Sequence, residues 1–442
     1  MRRGCGVSEY AEFLARKGQR AQHVGPTIDA DEVHPFLHEW QRRVVAWAVR
    51  AGRAALWADT GLGKTVMQIE WARLVAPGGR VLLVAPLAVC QQTVAEARKV
   101  DQDISYVRHD DEAEGPGVWV TNYEMTERFA AAGFDAVVLD ESSILKDVTG
   151  KTRERLIRQF EDVPYRLACT ATPAPNDVAE LANHAEFLGR STRREMLSTY
   201  FVHDQDGWRA KGHARAPMFA WMSSWAIALR RPSDIGGDDT GYDLPPLTIR
   251  SHRIDVDVDV PGQLFATDLG GVTGRAKIRR VTLEERCRRA ADLVVAESDQ
   301  PWLLWCGLND EADRLAAMIP GAVNVHGSLD PDEKARLLLG FAGGEYPVLI
   351  TKPSIAAFGL NLQRCARMAF VGLSDSYEAY YQALRRCWRY GQTRPVDAHI
   401  VLSTLEGQIA ANVERKESEA ARFAAELVAS MRAAGHWETA AA

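Results

Sequence analysis

The stretch Trp57-Ala58-Asp59-Thr60-Gly61-Leu62-Gly63-Lys64-Thr65 decides the fold. Before it, Arg53-Ala54-Ala55-Leu56-Trp57 is an apolar run of buried-strand length, and after it Thr65 to about Val75 has helical spacing. Strand, small-residue loop, Lys-Thr and helix make up the arrangement that holds nucleotide phosphates. Glycines let backbone N–H groups converge on an anion, and the helix N-terminus adds partial positive charge. The pattern assigns Thr60, Gly61, Leu62, Gly63, Lys64 and Thr65 to the nucleotide. Lys64 reaches the β/γ-phosphates and the Thr65 hydroxyl ligates Mg2+. The general pattern has glycine where Ala58 stands, so the competing reading is a chance Gly-Lys-Thr in a turn.

The flanking sequence tests that choice. Upstream, Pro35-Phe36-Leu37-His38-Glu39-Trp40-Gln41 opens a helix, and the Gln41 amide can donate to and accept from adenine. Downstream, near-continuous apolar runs alternate with helical stretches: Val81–Ala85, Ile104–Val107, Val118–Thr121, Ala136–Leu139 and Tyr165–Thr170. That alternation predicts a doubly wound parallel α/β domain with its functional residues beyond the strands' carboxyl ends. At one such end stands Asp140-Glu141-Ser142-Ser143. The first carboxylate can hold Mg2+ and the second can orient and deprotonate an attacking water. Acid pairs at strand ends also serve as helix caps, but a phosphate loop in the same domain favours catalysis. Thr170-Ala171-Thr172-Pro173 offers two hydroxyls that either relay between nucleotide and polymer or cap a helix.

From about 186 to 247 the rhythm breaks. Trp208, Trp221 and Trp225 lie among Arg209, Lys211, His213, Arg215, Arg230 and Arg231. Such a mixture stacks on bases and meets phosphates, or else packs the tryptophans into its own core. A glycine-rich stretch ending in Pro245-Pro246 reads as a linker. A second alternating unit follows, with a period-two strand at Ile254–Val260, a basic helix from Arg279 to Val295, and runs at Trp302–Cys306, Ala322–Val325, Val348–Thr351, Met368–Val371 and His399–Leu402. It has no second phosphate loop. It carries Gln382-Ala383-Leu384-Arg385-Arg386-Cys387-Trp388-Arg389-Tyr390-Gly391-Gln392, where Arg386 and Arg389 are spaced to share a helix face. Held so, they suit the arginine-finger device, although a solvated basic face is the bland alternative. Residues 1–34 suggest a helical extension around Tyr10, Phe13 and Leu14, and 405–442 a C-terminal helix.

Composition narrows the function classes. Hydrophobic residues are 46% and charged residues 25%, as in ordinary globular proteins. No apolar run approaches the ~20 residues of a membrane span, and the N-terminus does not read as a signal peptide. The seven scattered cysteines suggest neither a disulfide framework nor a zinc site, which fits a reducing cytoplasm. A net charge of −6 argues against a small basic nucleic-acid module but permits a local basic groove on a large enzyme.

In this order, these residues resemble the superfamily 2 helicases, and within them the SWI/SNF-like DNA translocases, including compact bacteriophage versions. The resemblance runs from about Pro35 to Pro395. Gln41 matches the adenine-reading glutamine and Ala58 to Thr65 the first motif. Leu83-Val84-Ala85-Pro86-Leu87 and Thr121-Asn122-Tyr123 match stretches that touch the DNA backbone. Asp140 to Lys146 match the acid motif, and Thr170 to Pro173 the coupling motif. His326-Gly327-Ser328 and Gly359-Leu360-Asn361-Leu362 match second-lobe motifs that contact polymer and nucleotide. Gln382 to Gln392 match the closing arginine motif. The chain departs from the family at Ser143 and Trp388, where histidine is common, at Arg385, which replaces an acid, and at Lys352-Pro353-Ser354.

The resemblance implies two RecA-like parallel-sheet lobes in tandem, with a helical insertion between them: 35–185 as the first lobe, 186–247 as insertion and linker, and 248–404 as the second lobe. It implies ATP and Mg2+ as cofactors, with Lys64, Asp140, Glu141, Arg386 and Arg389 catalytic and Thr65 and Asp140 holding Mg2+. Gln41, Thr60 to Thr65, Gly359 and Asn361 would bind nucleotide. Pro86, Thr121, Asn122, Thr170, Thr172, His326, Gly327 and Thr351 would bind DNA, double-stranded or branched. The expected activity is an ATP-dependent helicase or translocase in the cytoplasm of a bacterium or phage-infected host. The alternatives are an RNA helicase with the same motor and a non-hydrolysing nucleotide-gated scaffold.

Overall fold

A computed structural model of the chain describes residues 20–147, 150–204, 207–254, 280–356, 361–373, 376–404 and 407–435. The chain divides into two units, Met1–Thr240 with Glu419–Ala442, and Gly241–Ser418.

In the first unit the apolar runs become strands because each is covered on both faces. They are β1 (Arg53–Ala58), β2 (Arg80–Ala85), β3 (Ser105–Tyr106), β4 (Gly117–Asn122), β5 (Ala136–Asp140) and β6 (Tyr165–Cys169). Every residue of β5 is buried, as a parallel strand between helical layers requires. A short antiparallel hairpin, β7 (Phe201–Asp204) and β8 (Gly207–Ala210), stands apart, and β9 (Ala226–Leu229) joins the main sheet. The order is β3-β4-β2-β5-β6-β1-β9, with all pairings parallel. Helices α1 (Glu39–Ala51), α2 (Lys64–Val75), α3 (Leu87–Ala97), α4 (Lys151–Gln159), α5 (Leu181–Phe187), α6 (Arg193–Tyr200) and α7 (Arg215–Met222) complete the unit.

The 186–247 stretch therefore does more than insert. Ala226–Leu229 pairs in register with Ala55–Ala58, forming the edge beside the strand that leads into the phosphate loop. Trp221 and Trp225 are buried with their rings 5.2 Å apart, and Trp225 meets Trp57 of β1 at 5.8 Å, so these two tryptophans pack in the core of the whole unit and not in a core of the insertion alone.

The second unit holds β10 (Leu247–Ile254), α8 (Leu283–Ala296), β11 (Trp302–Cys306), α9 (Asn309–Met318), β12 (Ala322–Val325), α10 (Pro331–Gly343), β13 (Val348–Thr351), α11 (Pro353–Ala356), β14 (Arg367–Val371), α12 (Tyr377–Leu384) and β15 (Val396–Ser403). Its sheet runs β10-β15-β14-β11-β13-β12, again parallel throughout. Residues 255–260 of the expected period-two strand lie outside the described residues, and strand β10 precedes them. The N-terminal pattern around Tyr10 also lies outside them.

The last helix, α13 (Gly407–Ala433), crosses the sequence boundary between the units. Its Phe423, Leu427, Val428 and Met431 recur on one helical face and are buried. Within the first unit, Phe423 lies 5.9 Å from the Trp57 ring, and Arg215 pairs with Glu426 through Nε (2.5 Å) and Nη2 (2.9 Å). Among the described residues no helix is long and apolar enough to cross a membrane.

Candidate nucleotide and polymer site

The phosphate loop takes its shape from two glycines in left-handed backbone, Gly61 at φ 89° and Gly63 at φ 78°. Gly63 caps α2, so Lys64 and Thr65 begin the helix with their backbone at its positive end. A side chain at Gly63 has no room: an added Cβ would lie 2.4 Å from Gln41 Nε2. Lys64 Nζ donates to the carbonyl oxygens of Ala58 (2.7 Å) and Asp59 (3.3 Å), holding the lysine over its own loop. Gln41 ties α1 to the same loop. Its Nε2 donates to Leu62 O (2.9 Å) and its Oε1 accepts the His38 N–H (2.9 Å). These bonds leave the amide one donor hydrogen and one acceptor lone pair.

The acidic pair sits at the carboxyl end of β5, in the middle of the sheet. Asp140 is buried, and its Oδ1 accepts from Gln68 Nε2 at 2.7 Å. Burial raises its proton affinity, while the Gln68 hydrogen bond and the charge of Lys64 pull the other way. The Tyr123 hydroxyl donates to the Asp140 carbonyl (2.6 Å), fixing the backbone at this point. Glu141 then turns into left-handed backbone at φ 54°, one of two described non-glycine residues with positive φ. That conformation is uncommon for glutamate and signals a turn enforced by its surroundings. Thr170 Oγ1 donates to Glu141 Oε2 (3.2 Å) and accepts the Thr172 N–H (3.1 Å). Lys64, Asp140, Glu141, Thr170 and Thr172 thus form one polar centre in the first unit.

One partner of that centre escaped the sequence reading: Gln68, which holds Asp140, lies one helical turn beyond Lys64, a spacing that could have flagged it. A buried histidine after the coupling motif, His184, gave no local signal. It is buried, its Nε2 lies 3.1 Å from Pro173 O, and its ring meets Trp57 edge-on at 5.5 Å. Burial drives its pKa down to about 4, so it is neutral at physiological pH.

Several residues expected to contact DNA have side chains withdrawn from the surface. Thr121 and Thr351 are fully buried, and Asn122 nearly so. Asn122 donates to the Tyr106 hydroxyl (3.1 Å), and Thr351 Oγ1 donates to Val325 O (2.9 Å). These side chains shape strand ends instead of presenting donors to solvent. Thr170 and Thr172 are buried as well, within the acidic centre. Pro86 is half-buried and followed by Leu87, 59% exposed, while His326 and Gly327 lie at the end of β12 with Gly327 exposed. His326 Nδ1 is 2.8 Å from Ser328 Oγ, and Lys334 Nζ donates to Gly327 O (2.5 Å). A cavity of about 190 Å³ lined by Asn309, Asp313, Asn324, His326, Ser328 and Lys352 opens there. Asn361 is exposed; Gly359 lies outside the described residues.

The arginine segment also departs from expectation. Helix α12 ends at Leu384, so Arg386 and Arg389 stand in the turns beyond it and share no helix face. Arg386 is buried, with Nε donating to Gln382 O (3.3 Å) and Nη2 to Gln382 Oε1 (3.1 Å), whereas Arg389 is half-exposed. Gln392 fixes the turn. Its Nε2 donates to the carbonyls of Gln363 (2.8 Å), Cys365 (3.0 Å) and Cys387 (3.2 Å). The two departures from the family in this motif face each other, with the Arg385 guanidinium 4.9 Å from the Trp388 ring centre. Trp388 Nε1 donates in turn to Pro245 O (2.8 Å).

Comparison with known proteins addresses this second unit directly. Residues 288–391 match the helicase conserved C-terminal domain. Among curated proteins the chain is 22% identical to the Bacillus subtilis (strain 168) ATP-dependent helicase/translocase YwqA, over 93% of this chain and 51% of that protein. The chain thus spans about half the length of the curated relative it matches. Among solved structures it is similar to the Sulfolobus solfataricus SWI2/SNF2 ATPase core in complex with dsDNA. That likeness has a TM-score of 0.45 and 18% identity, covering 86% of this chain and 90% of the other. The domain match and the curated relative bear out the superfamily 2 helicase resemblance read from the sequence.

Proposed function

We propose that the chain is an ATP-hydrolysing DNA translocase or helicase of the SWI/SNF-like branch. The observation that carries this reading is the polar centre at the carboxyl end of β5. There a lysine at a helix start, a buried aspartate, and a glutamate bonded to the threonine after the next strand lie in one unit. Lys64 turns from its loop carbonyls to the β/γ-phosphates, and the start of α2 faces the anion. Asp140 and Thr65 fit Mg2+, which is typically held by one or two protein oxygens with phosphates and water filling the remaining positions. A buried carboxylate whose proton affinity is raised by desolvation gains by facing a cation. Held there, Mg2+ would neutralise charge on the phosphates. Glu141 orients water and takes its proton, while Thr170 fixes the Glu141 carboxylate and links it to Thr172. Thr172 Oγ1 is buried and makes no hydrogen bond among the described residues, which suits a hydroxyl that changes partner during the cycle.

Gln41 reads adenine with the hydrogen-bonding capacity its loop contacts leave. In the second unit, Arg386 and Arg389 carry the positive charge of the closing arginine motif, and Arg389 is the more exposed of the two. Pro86, His326 and Gly327 meet the DNA backbone, so the grip is largely sequence-independent and weakens with salt. Binding of labelled ATP and of labelled duplex by the Lys64→Ala chain tests the assignment. Loss of nucleotide with duplex retained supports it; undiminished nucleotide binding overturns the role of the loop.

A further inference from the structure

The second sheet reverses its strand order at β11. Strands β12 and β13 lie on one side of it, and the chain then crosses over to place β14 and β15 on the other. In open parallel α/β sheets such a reversal leaves a crevice beyond the strands' carboxyl ends, and ligands bind there. A cavity of about 200 Å³ occupies that position, walled by the ends of β11, β13 and β14 and the first turn of α12.

Its chemistry comes from four side chains: Trp305, Phe370, Tyr380 and Lys352. Trp305 and Phe370 are paired in register on neighbouring strands, so their rings lie side by side, 6.4 Å apart and 22° from parallel. The Tyr380 ring, from α12, meets Phe370 at 5.0 Å. All three are buried, and Trp305 Nε1 makes no hydrogen bond among the described residues. Lys352 is half-buried beside the exposed Ser354, which puts it at the mouth, and it forms no ion pair among the described residues. Burial raises the thiol of Cys306 in the cavity wall and the charge of Lys352 opposes that rise, so the ammonium is felt inside. Lys352 and Pro353 also stand where the sequence departs from the SWI/SNF-like pattern, and neither has a part in the proposed motor.

Each feature specifies part of an occupant. Aromatic walls suit a planar ring, the unpaired indole N–H suits an acceptor on that ring, and the lysine suits a negative charge beside it. Volume sets the size: a dry cavity of about 150 Å³ admits benzene, so this one holds a substituted ring or a fused pair. We propose that the cavity binds a small aromatic anion, its ring against Trp305, Phe370 and Tyr380 and its charge toward Lys352. The anion is either a free aromatic acid or one base-and-phosphate unit of a nucleic-acid strand.

The test uses the full chain carrying Lys64→Ala, which silences the nucleotide loop. Melting is followed against indole-3-carboxylate, with neutral indole and acetate as comparisons. The expected result is a saturable rise with the carboxylate, a smaller one with indole and none with acetate. Lys352→Met weakens the apparent affinity for the carboxylate by about tenfold or more, the worth of a charge-assisted contact, and leaves indole unchanged. Ala379→Leu, a helix-favouring change at a half-buried position in the cavity wall, fills the space and removes both rises. Labelled oligothymidylate and an abasic strand of equal length separate the sources. Weaker binding of the oligothymidylate alone by Ala379→Leu assigns the strand, and equal binding of both assigns the free acid. No saturable rise, a rise that survives Ala379→Leu, or equal affinity for indole and its carboxylate overturns the proposal.

Discussion

The carboxylates of the first unit's polar centre and the turn of the second unit's arginine segment are held by different partners. In the first, the carboxylate groups themselves are held by side chains, Gln68 on Asp140 and Thr170 on Glu141, beside backbone bonds from Lys64 and Tyr123. In the second, side chains hold backbone, with Gln392 gathering three carbonyls and Trp388 a fourth. The difference teaches where each unit needs rigidity. Carboxylates proposed for catalysis must be aimed, and theirs are bonded; a turn beyond a helix end must keep its path, and its carbonyls are bonded.

That contrast can be broken by substitution, and the largest effect belongs to the first unit. Glu141→Gln should lower steady-state ATP turnover by about 10²–10⁴-fold, the worth of a positioned general base, with the melting temperature nearly unchanged. Gln392→Leu should act on stability first, because it strips the donor from three carbonyls. A loss of about 2–3 kcal/mol in denaturant unfolding is expected, and a loss under about 0.5 kcal/mol would show that water replaces the clamp.

Glu180, shortly after the coupling motif, sharpens the comparison through pH. Desolvation pushes its carboxyl up to about 7, against hydrogen bonds from the Asn176 N–H and Nδ2. The folded chain therefore holds a proton that the unfolded chain releases. Its contribution is fully present below the unfolded value near 4.5 and is lost as pH rises to about 7. Glu180→Gln should flatten that window and stabilise the first unit by about 2–3 kcal/mol at pH 8, as read by melting across pH. An unaltered pH profile would mean the carboxylate is ionised in the folded state. The smallest effect is expected at the Arg385–Trp388 stack, where Arg385→Ala should cost about 0.5–2 kcal/mol in unfolding experiments.

Much of this was legible because buried parallel strands advertise themselves. Val81–Ala85 and Ala136–Leu139 are unbroken apolar runs, and both became central strands. β9 was not legible: four apolar residues after a three-residue turn carry no period, and their partner, Ala55–Ala58, is remote in sequence. The spacing of Arg386 and Arg389 suggested a shared helix face, but α12 stops at Leu384, where the chain begins a turn held by distant carbonyls. Thr121 matched its motif by residue type and Thr351 closes an apolar run, yet burial depends on the layers above them, which sequence does not display. The helical period of α13 was visible, while its packing on Trp57 and Phe219 was not.

The polar centre around Lys64, Asp140 and Glu141 is proposed to hydrolyse ATP in response to DNA. Steady-state ATP turnover measured in parallel with duplex DNA, single-stranded DNA, RNA and no polymer tests it most directly. The account expects low turnover alone, strong stimulation by duplex, and loss of that stimulation in Lys64→Ala. Turnover absent under every condition, stimulated best by RNA, or retained by Lys64→Ala would contradict it.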